Sequence, residues 1–310
     1  MEKIKIVFLV LPRVHLLDLA GAVQVFQEAI DYGMPCSIEY CTFEGAALQT
    51  SGEFSIGKLK DFTSLNLLPG DYLFVSGAEV DYLLSSQMRK EKGLFRWVNE
   101  AHEKGVTICS ICTGAFFLAQ AGLLNGRKCT THWKRTAQLK SLYPQVQLQE
   151  DILFTEDNRI YTSAGVAAGI DLALHVVAKL MGDHISFKVA RELVVYVRRS
   201  GVEKQESIFM RYRNHIHSGI HRVQDYLQEH IQKGATLPAL SEVACMSTRS
   251  LTRTFKKETG ITVNEYTNLA RRERLKELMK NPDYTRKQLA RFCGLRSERQ
   301  VIRLLKQTAS

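Results

Sequence analysis

Along the first 183 residues, short apolar runs rich in β-branched side chains alternate with helical patterns. The runs are Lys3 to Leu11, Ser37 to Thr42, Asp71 to Val75 and Val106 to Ile111; helical spacing fills about Ala20 to Tyr32, a stretch ending near Lys104, and Gly114 to Ala121. Strands apolar on both faces and separated by helices specify a parallel sheet covered on both sides, so this part of the chain is expected to be α/β. In such sheets ligands sit beyond the carboxyl ends of the strands. Two ends qualify as site walls: Ser76-Gly77-Ala78 after one run and Cys112-Thr113-Gly114 after another.

At 310 residues, with 45% hydrophobic and 24% charged side chains, the chain is too apolar for disorder and long enough for two domains. Lys3, Lys5 and the apolar run after them imitate a signal peptide, but Pro12, Arg13 and His15 interrupt that run too early. No segment approaches the length of a membrane-spanning helix, so the expectation is a soluble, cytoplasmic protein with no membrane partner. Seven cysteines without an export signal suggest reduced thiols and no disulfide framework.

Cys112 lies between a buried strand and the helix opened by Gly114, the strand-turn-helix setting of a nucleophile elbow. A helix N-terminus favours thiolate over thiol, so a lowered pKa and an oxidisable sulfur are expected there, against the alternative of an inert buried thiol. Cys109, Cys112, Cys129 and His132 also read C-x2-C-x16-C-x2-H, within zinc-ribbon spacing. Residues three apart on a strand face opposite sides, however, so this set is not expected to close on an ion, and neither metal nor cofactor is called for. A thioredoxin-like dithiol fails similarly, because both of its cysteines should lie on the helix side of the turn. His132 follows Cys112 by twenty residues and reads as a histidine at a strand end; His15 and His175 carry no role.

The run ICTGAFFLAQAGLLNGRKCTTHW, residues 111 to 133, resembles the elbow of the PfpI and class I glutamine amidotransferase-like superfamily, in the branch that contains isocyanide hydratase and the GlxA-type regulators. Asp18-Leu19-Ala20-Gly21 and Thr162-Ser163-Ala164-Gly165-Val166 resemble two further blocks of that branch, and the likeness covers about residues 3 to 200. It implies a flavodoxin-like fold, a dimer, and a pocket in which Asp18 approaches Cys112 with Thr113 beside both. Gly77, Ala78, Ala164 and Gly165 would complete a small-molecule site. Ala22 and Gln24 depart from the proline and glutamate common in the branch. A carboxylate alone beside a thiol would raise both pKa values.

Charge separates a second part. The last 127 residues hold 25 Lys and Arg against 12 Asp and Glu, net +13, while the first 183 are net −3. A basic third on a mildly acidic body suggests a reader of polyanions. Val166 to Leu180 reads as a long apolar helix continued by an amphipathic stretch to Val197, broken at Arg198 to Gly201; residues 200 to 214 look like a solvated tether. A helix follows from about His215, with Ile216, Ile220, Val223 and Leu227 at helical spacing. The expected organisation is therefore a sensor over 1–199, a linker over 200–214 and a DNA-binding domain over 215–310.

Within the basic part lies an internal repeat. Leu240, Ala244, Met246, Ser247, Leu251, Arg253 and Phe255 recur as Leu289, Cys293, Leu295, Ser297, Val301, Arg303 and Leu305, offset by 49 before the turn and 50 after it. The added residue falls in the second turn, where Gly294 can take the left-handed conformation. Each copy reads helix, turn, second helix with Ser247 or Ser297 as N-cap, which predicts helix-turn-helix units at about 236–258 and 285–307. Thr248, Arg249, Thr252 and Arg253 form one solvent-facing stripe, with Leu251 and Phe255 inward; Glu298, Arg299, Gln300 and Arg303 form the counterpart. Arginine can bond guanine at two points and glutamine adenine, so double-stranded operator DNA is the expected partner. Between the copies Val263 to Lys280 predicts one long basic helix.

MSTRSLTRTFKKETG and CGLRSERQVIRLL, within about 215 to 307, resemble the AraC/XylS regulators, and their order behind an amidotransferase-like domain is the GlxA-type arrangement. The resemblance implies a transcription regulator whose α/β domain senses a small effector or oxidation near Cys112. The competing class is a cysteine-dependent isocyanide hydratase or amidase-like enzyme joined to a DNA-binding domain. Leu295 and Leu305 stand where the AraC/XylS pattern has phenylalanine, and Val263 replaces a common proline, so the second copy is expected to pack less well and the first to dominate binding.

Overall fold

Ile6, Phe8 and Val10 enter one apolar cluster, and Val7, Leu9 and Leu11 enter another, and all six are fully buried. That alternation on a strand covered from both sides is what the opening run encodes. In the computed structural model, which describes residues 3–43, 47–195, 199–205, 208–279 and 281–306, the run forms β1 (Ile4–Leu9), an interior strand of a seven-stranded sheet. Its partners are β2 (Cys36–Thr42), β3 (Lys60–Asp61), β4 (Tyr72–Val75), β5 (Thr107–Ile111), β6 (Phe154–Asp157) and β7 (Ile160–Ser163), in the order β6-β7-β5-β4-β1-β2-β3. All pairs are parallel except β6 with β7.

The face holding Phe8 is covered by α1 (Leu16–Asp31), α4 (Ala167–Met181) and α5 (Asp183–Glu192). The other face carries α2 (Lys92–Glu103) and α3 (Gly114–Gln120). From β1 the chain moves first toward β2 and later back to β4, so the topological switch falls between β1 and β4. Their carboxyl ends, with those of β5 and β7, delimit the crevice where this architecture places ligands.

The chain divides into two compact units, Met1–Gln205 and Glu206–Ser310. By this division the first part of the tether expected over 200–214 falls with the α/β unit. Leu153 N and Phe154 N donate to Gly201 O at 2.9 and 3.2 Å, Arg199 Nε donates to Asp171 Oδ2 at 3.0 Å, and Lys204 pairs with Asp151 at 3.4 Å. Gln205 accepts from Trp133 N at 2.8 Å and donates to Thr131 O at 3.0 Å. Polar residues that read as solvated instead satisfy backbone groups beside β6. The break placed at Arg198 lies outside the described residues, as do Glu206 and Gln307.

In the second unit a single-turn helix, Ile208–Arg211, forms within the expected tether; the next helix, α6 (Ser218–Glu229), begins three residues later than expected, and Ile216 is fully exposed before it. Next come α7 (Leu237–Ala244), α8 (Thr248–Thr259), α9 (Val263–Leu278), α10 (Arg286–Phe292) and α11 (Glu298–Lys306). Ser247 Oγ accepts from Ser250 N at 3.2 Å, and Ser297 Oγ from Gln300 N at 3.4 Å, so both expected caps form. Cys245 takes the left-handed conformation in the first turn, φ +55, and Gly294 in the second, φ +63. A Cβ on Gly294 would lie 2.3 Å from Ile231 O, so only glycine fits.

The first core includes Phe255 and Tyr266, edge to face at 5.6 Å, with Leu240, Leu251 and Ile220; the second is built on Leu275, Leu289, Cys293, Val301 and Leu304, with no buried aromatic ring. The repeat had paired Leu305 with Phe255. Leu305 is instead 37% exposed and Leu304 is 4% exposed. Leu251 and Phe255 are four residues apart, whereas Val301 and Leu304 are three apart, so the inward stripe shifts along α11. Leu304→Ala is therefore expected to destabilise the second unit by about 2–5 kcal/mol, and Leu305→Ala by under about 1 kcal/mol, as read from urea unfolding.

Candidate functional site

Four strand ends meet at one point. After β1, the start of α1 brings His15, its N-cap, and Asp18, in its first turn; after β4 comes Gly77-Ala78; after β5, Cys112-Thr113; after β7, Ala164-Gly165-Val166. Cys112 takes φ +56, the strained backbone of an elbow, and Gly114 behind it is required because a Cβ there would lie 2.4 Å from Val75 O. The elbow is tied on both sides: Cys112 N donates to Ser163 O at 2.9 Å, and Thr131 Oγ1 donates to Cys112 O at 2.8 Å.

Two glycines let these ends close. A Cβ on Gly77 would lie 2.4 Å from Asp18 Oδ2, 2.9 Å from Cys112 Cβ and 3.0 Å from Thr113 Oγ1; one on Gly165, whose φ is +94, would lie 2.2 Å from Cys112 Cβ and 2.6 Å from its Sγ. Thr113 Oγ1 donates to Ala78 O at 2.6 Å and accepts from Ala78 N at 2.9 Å, locking the β4 end to the β5 end. Asp18, Gly77, Ala78, Cys112, Thr113, Ala164 and Gly165 are thus brought together, with Asp18 only 1% exposed.

Two residues join the site that the motifs did not single out. Asp18 Oδ2 sits 3.2 Å from His15 Nδ1, and Asp18 Oδ1 accepts from Val166 N at 2.6 Å. Val166, with φ 49 and ψ −115, occupies a region L residues avoid, so its amide is aimed at the carboxylate at a cost in backbone strain. The spacing of His15 and Asp18 across the start of α1 was the available signal for His15; Val166 closes the block that begins at Thr162, but nothing local assigns its amide a role. His15 Nδ1, an Asp18 oxygen and Cys112 Sγ lie within 4.8 Å of one another, so these three could hold a metal ion, although two of them already engage each other. The zinc-spaced set does not assemble, because Cys109 and Cys129 belong to clusters on opposite faces of the sheet.

The expected low pKa of Cys112 is corrected. Burial, then the Asp18 carboxylate, push the thiol well above its ordinary 9.0, and hydrogen bonding from Thr113 opposes this only in part. At 4% exposure, desolvation outweighs the dipole of a two-turn helix. His132 is lowered, first by burial and then by Lys134, and its Nδ1 accepts from Lys134 N at 3.3 Å as a cap. His175 lies elsewhere, at 3.2 Å from Glu156.

In the second unit, Thr248, Arg249, Thr252 and Arg253 are exposed along α8, and Glu298, Arg299 and Arg303 along α11; Gln300 is half-buried and accepts from Arg296 N at 2.7 Å. Leu251 and Phe255 are fully buried beneath the first stripe.

A mostly parallel sheet with a cysteine elbow beside its switch point, followed by two helix-turn-helix units, defines the class as flavodoxin-like α/β joined to a helical reader. The chain belongs to the DJ-1/PfpI family, whose model matches residues 4–179. Residues 240–310 match a helix-turn-helix domain. The chain is 28% identical over 205 residues to the HTH-type transcriptional regulator CdhR of Pseudomonas aeruginosa, a match covering 66% of this chain and 60% of that regulator's length. It is 29% identical over 182 residues to isonitrile hydratase of Pseudomonas putida, covering 58% of this chain and 73% of the enzyme. A crystal structure of an AraC family transcriptional regulator from Pseudomonas putida shares the α/β fold, with a TM-score of 0.52 at 22% identity over 61% of this chain and 99% of the other. Among the described residues, no helix is long and apolar enough to cross a membrane.

Because the folded thiol titrates above its unfolded value, the native state keeps a proton that the unfolded chain has lost. The stability contributed by Cys112 is present below about pH 9 and is lost as pH rises further. Replacing the charge, Asp18→Asn, keeps an acceptor for Val166 and lowers the thiol pKa. Iodoacetamide alkylation of Cys112 at pH 8 should then be about tenfold faster or more than in the wild type, and an unchanged rate would remove Asp18 from the account.

Proposed function

We propose that the chain is a sequence-specific, DNA-binding transcription regulator, active as a homodimer in the cytoplasm, whose DJ-1/PfpI unit senses a small effector at Asp18, Cys112 and Thr113. The observation that carries this reading is the pair of helix-turn-helix units with exposed basic stripes over separate cores. The name of the relative CdhR points the same way. Supporting the sensing role, Cys112 O accepts from Thr131, and Thr131 O accepts from Gln205, the last residue of the α/β unit. A chain of hydrogen bonds thus links the elbow to the point where the chain leaves for the DNA-binding unit. The buried, protonated thiol favours binding over nucleophilic turnover, which places the hydratase-like reading second.

Selection from a pool of random duplexes tests the reading. The full chain should enrich a motif with two half-sites about 10 base pairs apart, and Arg253→Ala should weaken binding by about 1–3 kcal/mol, more than Arg303→Ala, because the first unit has the firmer core. No enrichment would overturn it. For the pocket, a compound that raises the melting temperature and alters DNA affinity identifies the effector. Cys112-dependent hydration of an isocyanide by the same chain would instead favour the enzyme.

A further inference from the structure

The second unit contains a cleft of about 1050 Å³ between the loop joining α6 to α7 and the second helix-turn-helix. Thr236, the N-cap of α7, stands on one wall and Ser297, which caps α11, on the other. The walls are joined at the back, where Gly294 packs against Ile231 O and Gln232 O too closely to admit any side chain.

The lining is cationic: Lys233, Arg271, Lys287, Arg291 and Arg296 face one carboxylate, Glu298. Among the described residues none of these five cations makes an ion pair. Arg271, half-buried on the long helix α9, has a buried Nε with no hydrogen-bond partner. Burial disfavours its charge. A guanidinium does not shed its proton, so an inward cation of this kind, among four other unpaired cations, favours the entry of an anion.

Resting on the DNA-binding reading above, the position of the cleft says which anion. Recognition helices in successive major grooves stand about 34 Å apart, and the backbones bordering the intervening minor groove must cross the protein between them. Within the second unit the cleft lies between Thr236, where the first helix-turn-helix begins, and the start of α11 in the second. We propose that it seats a phosphodiester backbone of that minor groove, with Arg271 as the innermost contact and Lys287 and Arg296 at the rim. Such contacts neutralise phosphates and fix the register of the two readers without reading sequence.

The test is the salt dependence of binding. The full chain is titrated by fluorescence anisotropy against a labelled random-sequence duplex between about 50 and 200 mM salt. Arg271→Gln and Lys287→Gln should each lower affinity and reduce the log–log salt slope by about one, while Lys90→Gln, on the α/β unit, leaves both unchanged. Lys287 is exposed, so its replacement does not endanger the fold. Wild-type slopes in both Lys287→Gln and Arg296→Gln overturn the proposal. In a second arm, inorganic pyrophosphate is titrated at constant ionic strength: weak competition with DNA agrees with a backbone seat. Tight binding that Arg271→Gln abolishes, with the DNA slope unaltered, assigns the cleft to a free phosphate compound and overturns it. A wild-type chain with no affinity for DNA would sink the regulator reading itself, an outcome distinct from failure of the cleft.

Discussion

A buried carboxylate holds the candidate site together. Asp18 is all but inaccessible, and its two oxygens take a backbone amide from the far end of the sheet and an imidazole from its own helix start. An ionised carboxylate is costly to bury without such partners. The strain at Val166 and the absence of side chains at Gly77 and Gly165 allow those partners, with the cysteine, to converge. Remove the carboxylate and the Val166 amide loses its acceptor, while the thiol loses its nearest negative charge. The position of Cys112, its titration and the closeness of the β1 and β7 ends are therefore one property.

Much of the fold was legible because its signals are local. The alternation at Ile6 to Leu11 is a period-two pattern on a doubly covered strand, and it survives any tertiary detail. Ser247 and Ser297 were readable for the same reason, since a cap depends on residues within one turn. The elbow at Cys112 was found, but the sign of its pKa shift was not, because the helix dipole is visible in sequence and the depth of burial is not. His15 and Val166 escaped for a related reason. Their role is defined by Asp18, and in the case of Val166 by a contact spanning 148 positions of chain.

The repeat shows a subtler limit. An extra residue in a turn shifts a helix along its axis, and the sequence cannot say which way the next inward position moves. Aligning Leu305 with Phe255 kept the spacing of the copies, whereas packing chose Leu304. Among the described residues the second core holds no fully buried aromatic ring, and its half-buried Tyr284 packs edge to face on Phe292. Its turn is nonetheless the more tightly specified, because Gly294 abuts the loop between α6 and α7 while Cys245 occupies the left-handed conformation with a side chain in place.

The segment from Arg199 to Gln205 bears on how modular the two units are. It reads like a connector, yet it supplies the acceptor for two backbone amides at Leu153 and Phe154, and its last side chain bridges Thr131 and Trp133. A recombination joint placed before Ser200 would strip those amides of their acceptor and leave the edge beside β6 open to pairing with another chain. A joint placed after Gln205 would carry the segment with the α/β body. Inheritance of such domains as interchangeable parts is thus constrained at a seam later than the change in composition suggests.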